Sequence, residues 1–517
     1  MKNCDKNMTF NDCELIILRD AIDKGEEQIA KKKVNAPEIK EIMAIMEKFI
    51  KDKNLICYGG TAINNILPVQ DQFYNKDLEI PDYDCFSDKA MENAKQLADI
   101  YYKKGFTEVE AKAGQHYGTY KVFVNYIPVA DLTYLVPEIY ENMKREVIKV
   151  DGILYAPPNF LRMSMYLELS RPEGDIGRWE KILKRLVLLN KHYPLQGKDC
   201  KTSPTQRIFE EPMPTDLRTL SDMSITSDFN KTKKKTSTKT SNKTKSSLKT
   251  AKHYNFKYSS QVYFITRNSM IDQGVVFFGG FANAMFSRYM PKKSGYRLRR
   301  IPDFDVLSTD PLKTANIVKE RLEDEKIQNV EIIKHNKIGE IIAQHYEIRV
   351  GKDTVAFIYE PIACHSFNVI KLKGRLIKIA TIDTMLSFYL AFYYVERPYY
   401  NRNRILCMSE YLFQVQQKNR LKQKGLLKRF SLECYGNQPT IEDIRADKTR
   451  KYKELKTKKG SREFDMWFLR YIPQENEKNK SGPNKKYKAS LAKTAKAKKK
   501  RIRKQNITKR VTKIFGL

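Results

Sequence analysis

Residues 80–87 read IPDYDCFS, and residues 301–308 read IPDFDVLS. Each phrase holds two acids one residue apart. Residues i and i+2 of a strand project to the same face, so Asp82 and Asp84 stand about 7 Å apart at the backbone and can aim both carboxylates at one point. Two carboxylates so placed repel, and one would take up a proton unless a divalent cation lay between them. Hard oxygen ligands at this density suit Mg²⁺ (or Mn²⁺), which retains waters and shares phosphate oxygens with a nucleotide. A third acid, Asp131, interrupts the apolar run VADLTYL at 129–135. Three carboxylates around a cation pair form the arrangement that drives in-line attack on phosphorus.

A second stretch supplies a place for phosphates. LICY (55–58) is a short apolar strand, stopped by Gly59-Gly60 and followed by the helix-like TAINNIL. Glycines there let a triphosphate approach the backbone closely, and Thr61 opens a helix whose N–H groups and dipole favour negative charge. Further along, DIGRWEKILKRLVLLN (175–190) sets Arg178, Lys181 and Arg185 near one helical face, directed at phosphates or at solvent. Each piece alone is commonplace. The ordered set is not: strand, Gly-Gly-Thr, helix, a 22-residue interval from Gly60 to Asp82, Asp-x-Asp, then a third acid on a later strand.

The elements that must carry these residues are legible in pattern. PEIKEIMAIMEKFI (37–50) places Ile39, Ile42, Met43, Met46 and Ile50 at helical spacing behind Pro37. The β-branched and aromatic stretch 117–135 reads as two strands broken near Asn125–Pro128, and 157–190 returns to helix. The same order then recurs. YGGTAINNILP (58–68) matches FGGFANAMFSRYMP (278–291), GQHYGTYKV (114–122) matches AQHYEIRV (343–350), and SRPEGDIGRW (170–179) matches ERPYYNRNRI (396–405), with Arg178 opposite Arg404. Four blocks in one order identify an internal duplication. The shared QHY suggests a packing role for His116. The second copy keeps Asp303 and Asp305 but reads VAFIYE where the first reads VADLTY, putting Phe357 opposite Asp131, and Phe281 replaces Thr61. The aromatic run FYLAFYYVERPYY (388–400) suits a buried helix better than a base-stacking surface.

The chain has 517 residues, too many for one compact core, and a formal net charge of +35. A polyanionic partner follows, nucleic acid before membrane, since no long basic amphipathic helix stands out; nor does any apolar run reach the length of a membrane span. The eight cysteines show no CxxC pair, so neither a zinc site nor a disulfide framework is expected, and a reducing compartment is. KTKKKTSTKTSNKTKSSLKTAK (231–252) reads as a flexible linker, and the acid-free segment from Lys478 to the end as a basic tail. Both are RNA-contact candidates by charge; KKKRIRK (498–504) could instead be a nuclear address. The expected organisation is an N-terminal helical segment (1–54), a first domain (55–195), a linker (196–256), a second domain (257–475) and the tail (476–517).

YGGTAINNILP, IPDYDCFS and VADLTYL, with the duplication and the lysine-rich linker, resemble the poly(A) polymerase catalytic subunit of large cytoplasmic DNA viruses, within the polymerase-β-like nucleotidyltransferase superfamily. The resemblance covers roughly 40–475 and leaves out the tail. It implies an α/β (α+β) fold of tandem nucleotidyltransferase-like domains, the first catalytic and the second degenerate. It implies ATP as substrate, Mg²⁺ or Mn²⁺, and template-independent extension of an RNA 3′ end. Asp82 and Asp84 would bridge both metals, Asp131 would hold the metal that activates the primer hydroxyl, and Gly59, Gly60 and Thr61 would contact the triphosphate. A homodimer or a separate processivity subunit is implied as partner, and the host cytoplasm or the virion as location. Uridylyl- or CCA-adding activity, or a non-catalytic RNA-binding scaffold, are the competing readings.

Overall fold

The computed structural model of the protein describes residues 4, 7–198, 200, 209–212, 256–286, 289, 300–301, 303–372 and 374–473. The lysine-rich stretch 231–252 and the basic tail lie outside them. Two long helices lead in, α1 (Phe10–Val34) and α2 (Pro37–Lys53). Proline at the first turn starts α2, and its apolar stripe buries Ile39, Ile42, Met46, Phe49 and Ile50. Asn54, left-handed at φ 51°, stops it. By contrast α1 buries none of its residues.

The first copy then runs β1 (Ile56–Tyr58), α3 (Gly59–Ile66), β2 (Asp84–Ser87), α4 (Ala90–Lys103), β3 (Val109–Ala113), β4 (Thr119–Val124), β5 (Ile127–Tyr134), α5 (Pro137–Lys144), β6 (Ile148–Val150), β7 (Ile153–Tyr155), α6 (Pro158–Leu169) and α7 (Trp179–His192). The break expected inside 117–135 is a two-residue hairpin turn. Asn125 and Tyr126 take φ of 49° and 67°, the left-handed pair whose twist matches the flanking strands. A short ribbon pairs β8 (Phe209–Pro212) with β10 (Arg300–Ile301).

The second copy supplies β9 (Val276–Phe278), β11 (Phe304–Leu307), β12 (Val330–His335), β13 (His345–Val350), β14 (Asp353–Tyr359), β15 (His365–Leu372), β16 (Arg375–Ala380) and β17 (Cys434–Tyr435); β18 (Arg470–Tyr471) closes the series. The two eight-stranded sheets have the orders β18-β3-β4-β5-β2-β1-β7-β6 and β12-β13-β14-β11-β9-β16-β15-β17. Apart from β18 and β17, these are one topology written twice. The registers agree to the residue: Asp84 lies beside Asp131, and Asp305 beside Phe357.

One sequence match does not survive the register. Thr119 pairs with Thr133 where His345 pairs with Tyr359, so Thr119, three residues past His116, is the counterpart of His345. His116 lies exposed in the loop before β4, while His345 is buried. The QHY repeat is coincidental, and the expected shared packing role falls with it.

The copies are joined through a core. Every residue of the helix Ile382–Tyr393 is buried, and it packs on α6, so the aromatic run is interior as expected. Polar ties surround this contact: Ser366 N–H donates to Ser170 O at 2.8 Å, and Arg397 bonds Glu138 at 2.8 Å. The chain's last described stretch leaves the second copy. The helix Arg462–Phe468 and β18 lie on the first sheet, Arg470 pairing with Lys112 and Tyr471 with Ala111.

The expectation of no disulfides is overturned. Cys4–Cys13, Cys200–Cys407 and Cys364–Cys434 are bonded, with Cα separations of 5.2–5.4 Å. Their separations of 9, 207 and 70 residues carry no spacing signal; tertiary packing brings each pair together.

Candidate active site

The three acids come from two neighbouring strands. Asp84 opens β2 and has Asp131 of β5 as its direct lateral neighbour; Asp82 sits just ahead of β2, exposed at the mouth. Asp131 N–H donates to Tyr83 O at 3.1 Å, which locks the register between the acids. Their charges act on one another. Burial, then the charges of Asp82 and Asp131, push the Asp84 carboxyl up to about 7, with Lys121 and Arg178 opposing. Burial and Asp131 likewise raise Asp82. Lys121, opposite Asp131 on β4, ion-pairs with it. The three carboxylates do not offer one oxygen each within 4.8 Å of one another.

The glycines behave as a cradle. The helix opens at Gly59, two residues earlier than the sequence suggested. Gly59 has φ +73°, and a Cβ there would stand 2.8 Å from Asp84 Oδ2. A Cβ on Gly60 would overlap the Tyr74 hydroxyl and reach within 2.9 Å of an Arg185 nitrogen. The loop carrying Tyr74 is pinned by Asn64, whose buried carbonyl oxygen accepts from the N–H groups of Phe73 and Tyr74 at 2.8 and 2.9 Å.

Thr61 plays another part than the one foreseen. Its hydroxyl donates to the Asp82 carbonyl at 2.7 Å, and the residue is buried, so it ties the helix to the acid strand and does not face a triphosphate. Arg178, at the start of α7, is exposed and acts on Asp84. Lys181 is exposed on α7 and is not among the groups that act on the acids. Arg185 replaces it beside Gly60: it donates to Tyr74 Oη at 2.7 Å and stacks 4.8 Å over Phe73. The helical face of Arg178 and Arg185 held that signal. Lys121 was missed because a lysine on a half-exposed strand reads as ordinary surface.

The second copy has been closed. Gly279, at φ +69°, faces Asp305 as Gly59 faces Asp84, and a Cβ there would overlap it. Yet Phe357 fills the third-acid position, and Glu347 stands where Lys121 does. Arg404 lowers Asp303 and Asp305 against the upward push of burial. These groups, with Tyr389 and Phe392, line a cavity of only about 40 Å³.

The first site therefore fits divalent metal: three neighbouring acids, with Asp82 and Asp84 raised, and a side-chain-free wall beside them. Residues 44–175 match the poly(A) polymerase catalytic subunit family. A putative poly(A) polymerase catalytic subunit of African swine fever virus (isolate Tick/Malawi/Lil 20-1/1983) is 33% identical over 188 residues, 35% of this chain and 39% of that protein. Its counterpart in Acanthamoeba polyphaga mimivirus is 34% identical over 190 residues, 35% of this chain and 31% of its own. The match thus spans under half the length of these curated relatives. The crystal structure of the Megavirus polyadenylate synthase shares the fold, at a TM-score of 0.67 and 19% identity over 96% of this chain and 92% of that one. By these matches, the segment that holds the three acids is similar to poly(A) polymerase catalytic subunits.

Proposed function

We propose that this protein is a template-independent polyadenylate polymerase, transferring AMP from ATP to the 3′ end of RNA. The observation that carries the reading is the placement of three acids on two neighbouring strands beside the Gly59-Gly60 cradle, present in one copy and closed in the other. In the reaction the 3′ oxygen of the RNA bonds to the α-phosphorus of ATP. The α–β phosphoanhydride bond breaks, pyrophosphate leaves, and the hydroxyl proton passes to solvent or a carboxylate.

Asp82, Asp84 and Asp131 would hold Mg²⁺ or Mn²⁺, which lowers the pKa of the attacking hydroxyl and neutralises phosphate charge. The chain's own groups do the rest. Gly59 and Gly60 admit the triphosphate to backbone N–H groups, and the start of α3 adds a favourable dipole. Arg185, preset by Phe73 and Tyr74, and Arg178 offer guanidinium forks to the departing pyrophosphate. Lys121 holds Asp131 through their ion pair until the primer end arrives. Such positioning and charge compensation is most of what phosphoryl transfer needs.

The relatives are named catalytic subunits, which supports a separate subunit as partner; a homodimer is the alternative. We place the protein in the host cytoplasm or in the virion. The test is extension of a labelled RNA with each nucleoside triphosphate separately. ATP alone is expected to extend it, and Asp82→Asn or Asp84→Asn to reduce extension at least about a hundredfold. Extension by UTP or CTP, or full activity in both variants, would refute the reading.

A further inference from the structure

A large cavity lies on the other side of α7. Its volume is about 700 Å³, and its walls come from both copies and the loop 419–430. Arg185 and Val187 are two residues apart on α7, yet Arg185 faces Gly60 and Val187 faces the cavity. One helix, about 10–12 Å across, is all that separates the cavity from the candidate active site.

Three observations point to one class of occupant. Phe413 and Phe430, both half-buried, set aromatic rings at the cavity, backed by the buried Tyr166 and leucines. Phe430 is held at φ 53°, a conformation that costs a bulky residue energy and persists where the surroundings over-determine it. The exposed Gln417 offers its carboxamide in the same wall, while Asn190, Gln416 and Gln423 there are bonded to Arg162, Asp383 and the loop backbone. The rim is strongly basic: residues 418–429 read KNRLKQKGLLKR, six cations and no acid. Of these, Arg429 is spent on the buried Asp383, at 2.7 Å, while Arg420, Lys422, Lys424 and Lys428 are exposed. Aromatic faces, one open amide and a cationic rim together fit a nucleobase with its phosphates outside; a purely apolar peptide or lipid would leave the exposed cations of the rim unmatched.

We propose that this cavity receives a base of the single-stranded RNA upstream of its 3′ end, with the 419–429 loop gripping the adjoining phosphates. The site holds the strand while the terminus sits at Asp131. The proposal rests on the RNA substrate class assigned above, and its test is separable from catalysis.

Binding is measured by fluorescence anisotropy with the full chain carrying Asp82→Asn, without ATP or metal, using a single-stranded 20-nucleotide RNA and, separately, linear polyphosphate, which has no bases. Val187→Trp fills the cavity from an exposed wall (Val187 is 59% exposed), and thermal melting checks that it folds. It is expected to weaken RNA binding about tenfold or more, the effect of losing a stacked base, and to leave polyphosphate binding unchanged. Replacing Arg420, Lys422, Lys424 and Lys428 by Ala should weaken both ligands and flatten the salt dependence by about 0.7 in logarithmic slope for each phosphate contact removed. RNA affinity untouched by Val187→Trp would overturn the proposal. So would equal loss of both ligands in that variant, which would make the groove a charge site without base recognition. Binding that behaves as expected, with no extension by the unsubstituted protein given ATP and metal, would instead count against the polymerase reading alone.

Discussion

Asp84 sits where proton and metal compete. Its carboxyl titrates near 7 because burial and two neighbouring acids penalise the anion. The titration belongs to the cluster as a whole. A folded-state pKa above the unfolded value means the folded chain holds the proton more tightly between about pH 4 and 7. Stability of the metal-free protein is therefore expected to fall as pH rises through that window. Melting in EDTA at pH 5 and pH 8 checks this, with Asp84→Asn flattening the difference. Metal must displace that proton, so apparent Mg²⁺ affinity should weaken by up to about tenfold per unit below pH 7 and level off above it; calorimetry across pH would reveal a flat profile if the cluster were already ionised. Gly59 is the backbone counterpart of this balance. Gly59→Ala forces a side chain into a left-handed residue, costing about 1–2 kcal/mol, and drives a methyl group at Asp84 Oδ2. Activity is expected to drop further than stability, read as turnover beside a urea titration.

At the scale of elements, what could be read depended on whether local pattern or distant packing set the position. α2 and the β4–β5 hairpin were plain because apolar spacing and turn chemistry are local. The paired acids, the glycines and the replacement of Asp131 by Phe357 were plain because strand order and duplication carry them. The fold class follows from the same features. Thr61 was misread because its hydroxyl partner, the Asp82 carbonyl, lies 21 residues away; QHY was misread because a three-letter identity outweighed register. The destination of β18 had no local signal. Two residues pair with the edge of β3, while Tyr471 donates to Asp99 at 2.6 Å and Lys95 bonds Asp465 at 2.9 Å. Ending the chain after Ser461 would uncover that edge, and exposed edges template association. The truncated protein should melt several degrees lower and aggregate on concentration, both measurable by scattering during a thermal ramp. An unchanged melt would mean that the strap adds nothing to the first sheet.

The whole molecule spends two copies of one topology on different tasks, and a matched pair of arginines separates them. Arg178 stands exposed before α7 and eases the charge on Asp84. Arg404, its counterpart, stands near the start of the helix Arg402–Lys418, largely buried between Asp303, Asp305 and the Tyr399 carbonyl, to which it donates at 2.8 Å. In the second copy the guanidinium does permanently what a bound cation would do reversibly in the first. Without it two buried acids lose their counter-charge, a loss costing about 3–5 kcal/mol. At an exposed position the same change costs within about 0.5 kcal/mol. Arg404→Met is therefore expected to destabilise the chain by that larger amount while each folded molecule keeps its extension rate. Arg178→Met should leave the unfolding midpoint in place and slow extension or raise the KM for ATP. Urea unfolding and steady-state extension on the same two preparations decide it: if Arg404→Met also abolished extension in the folded fraction, the second copy would be part of the catalytic apparatus and its closure would need another explanation.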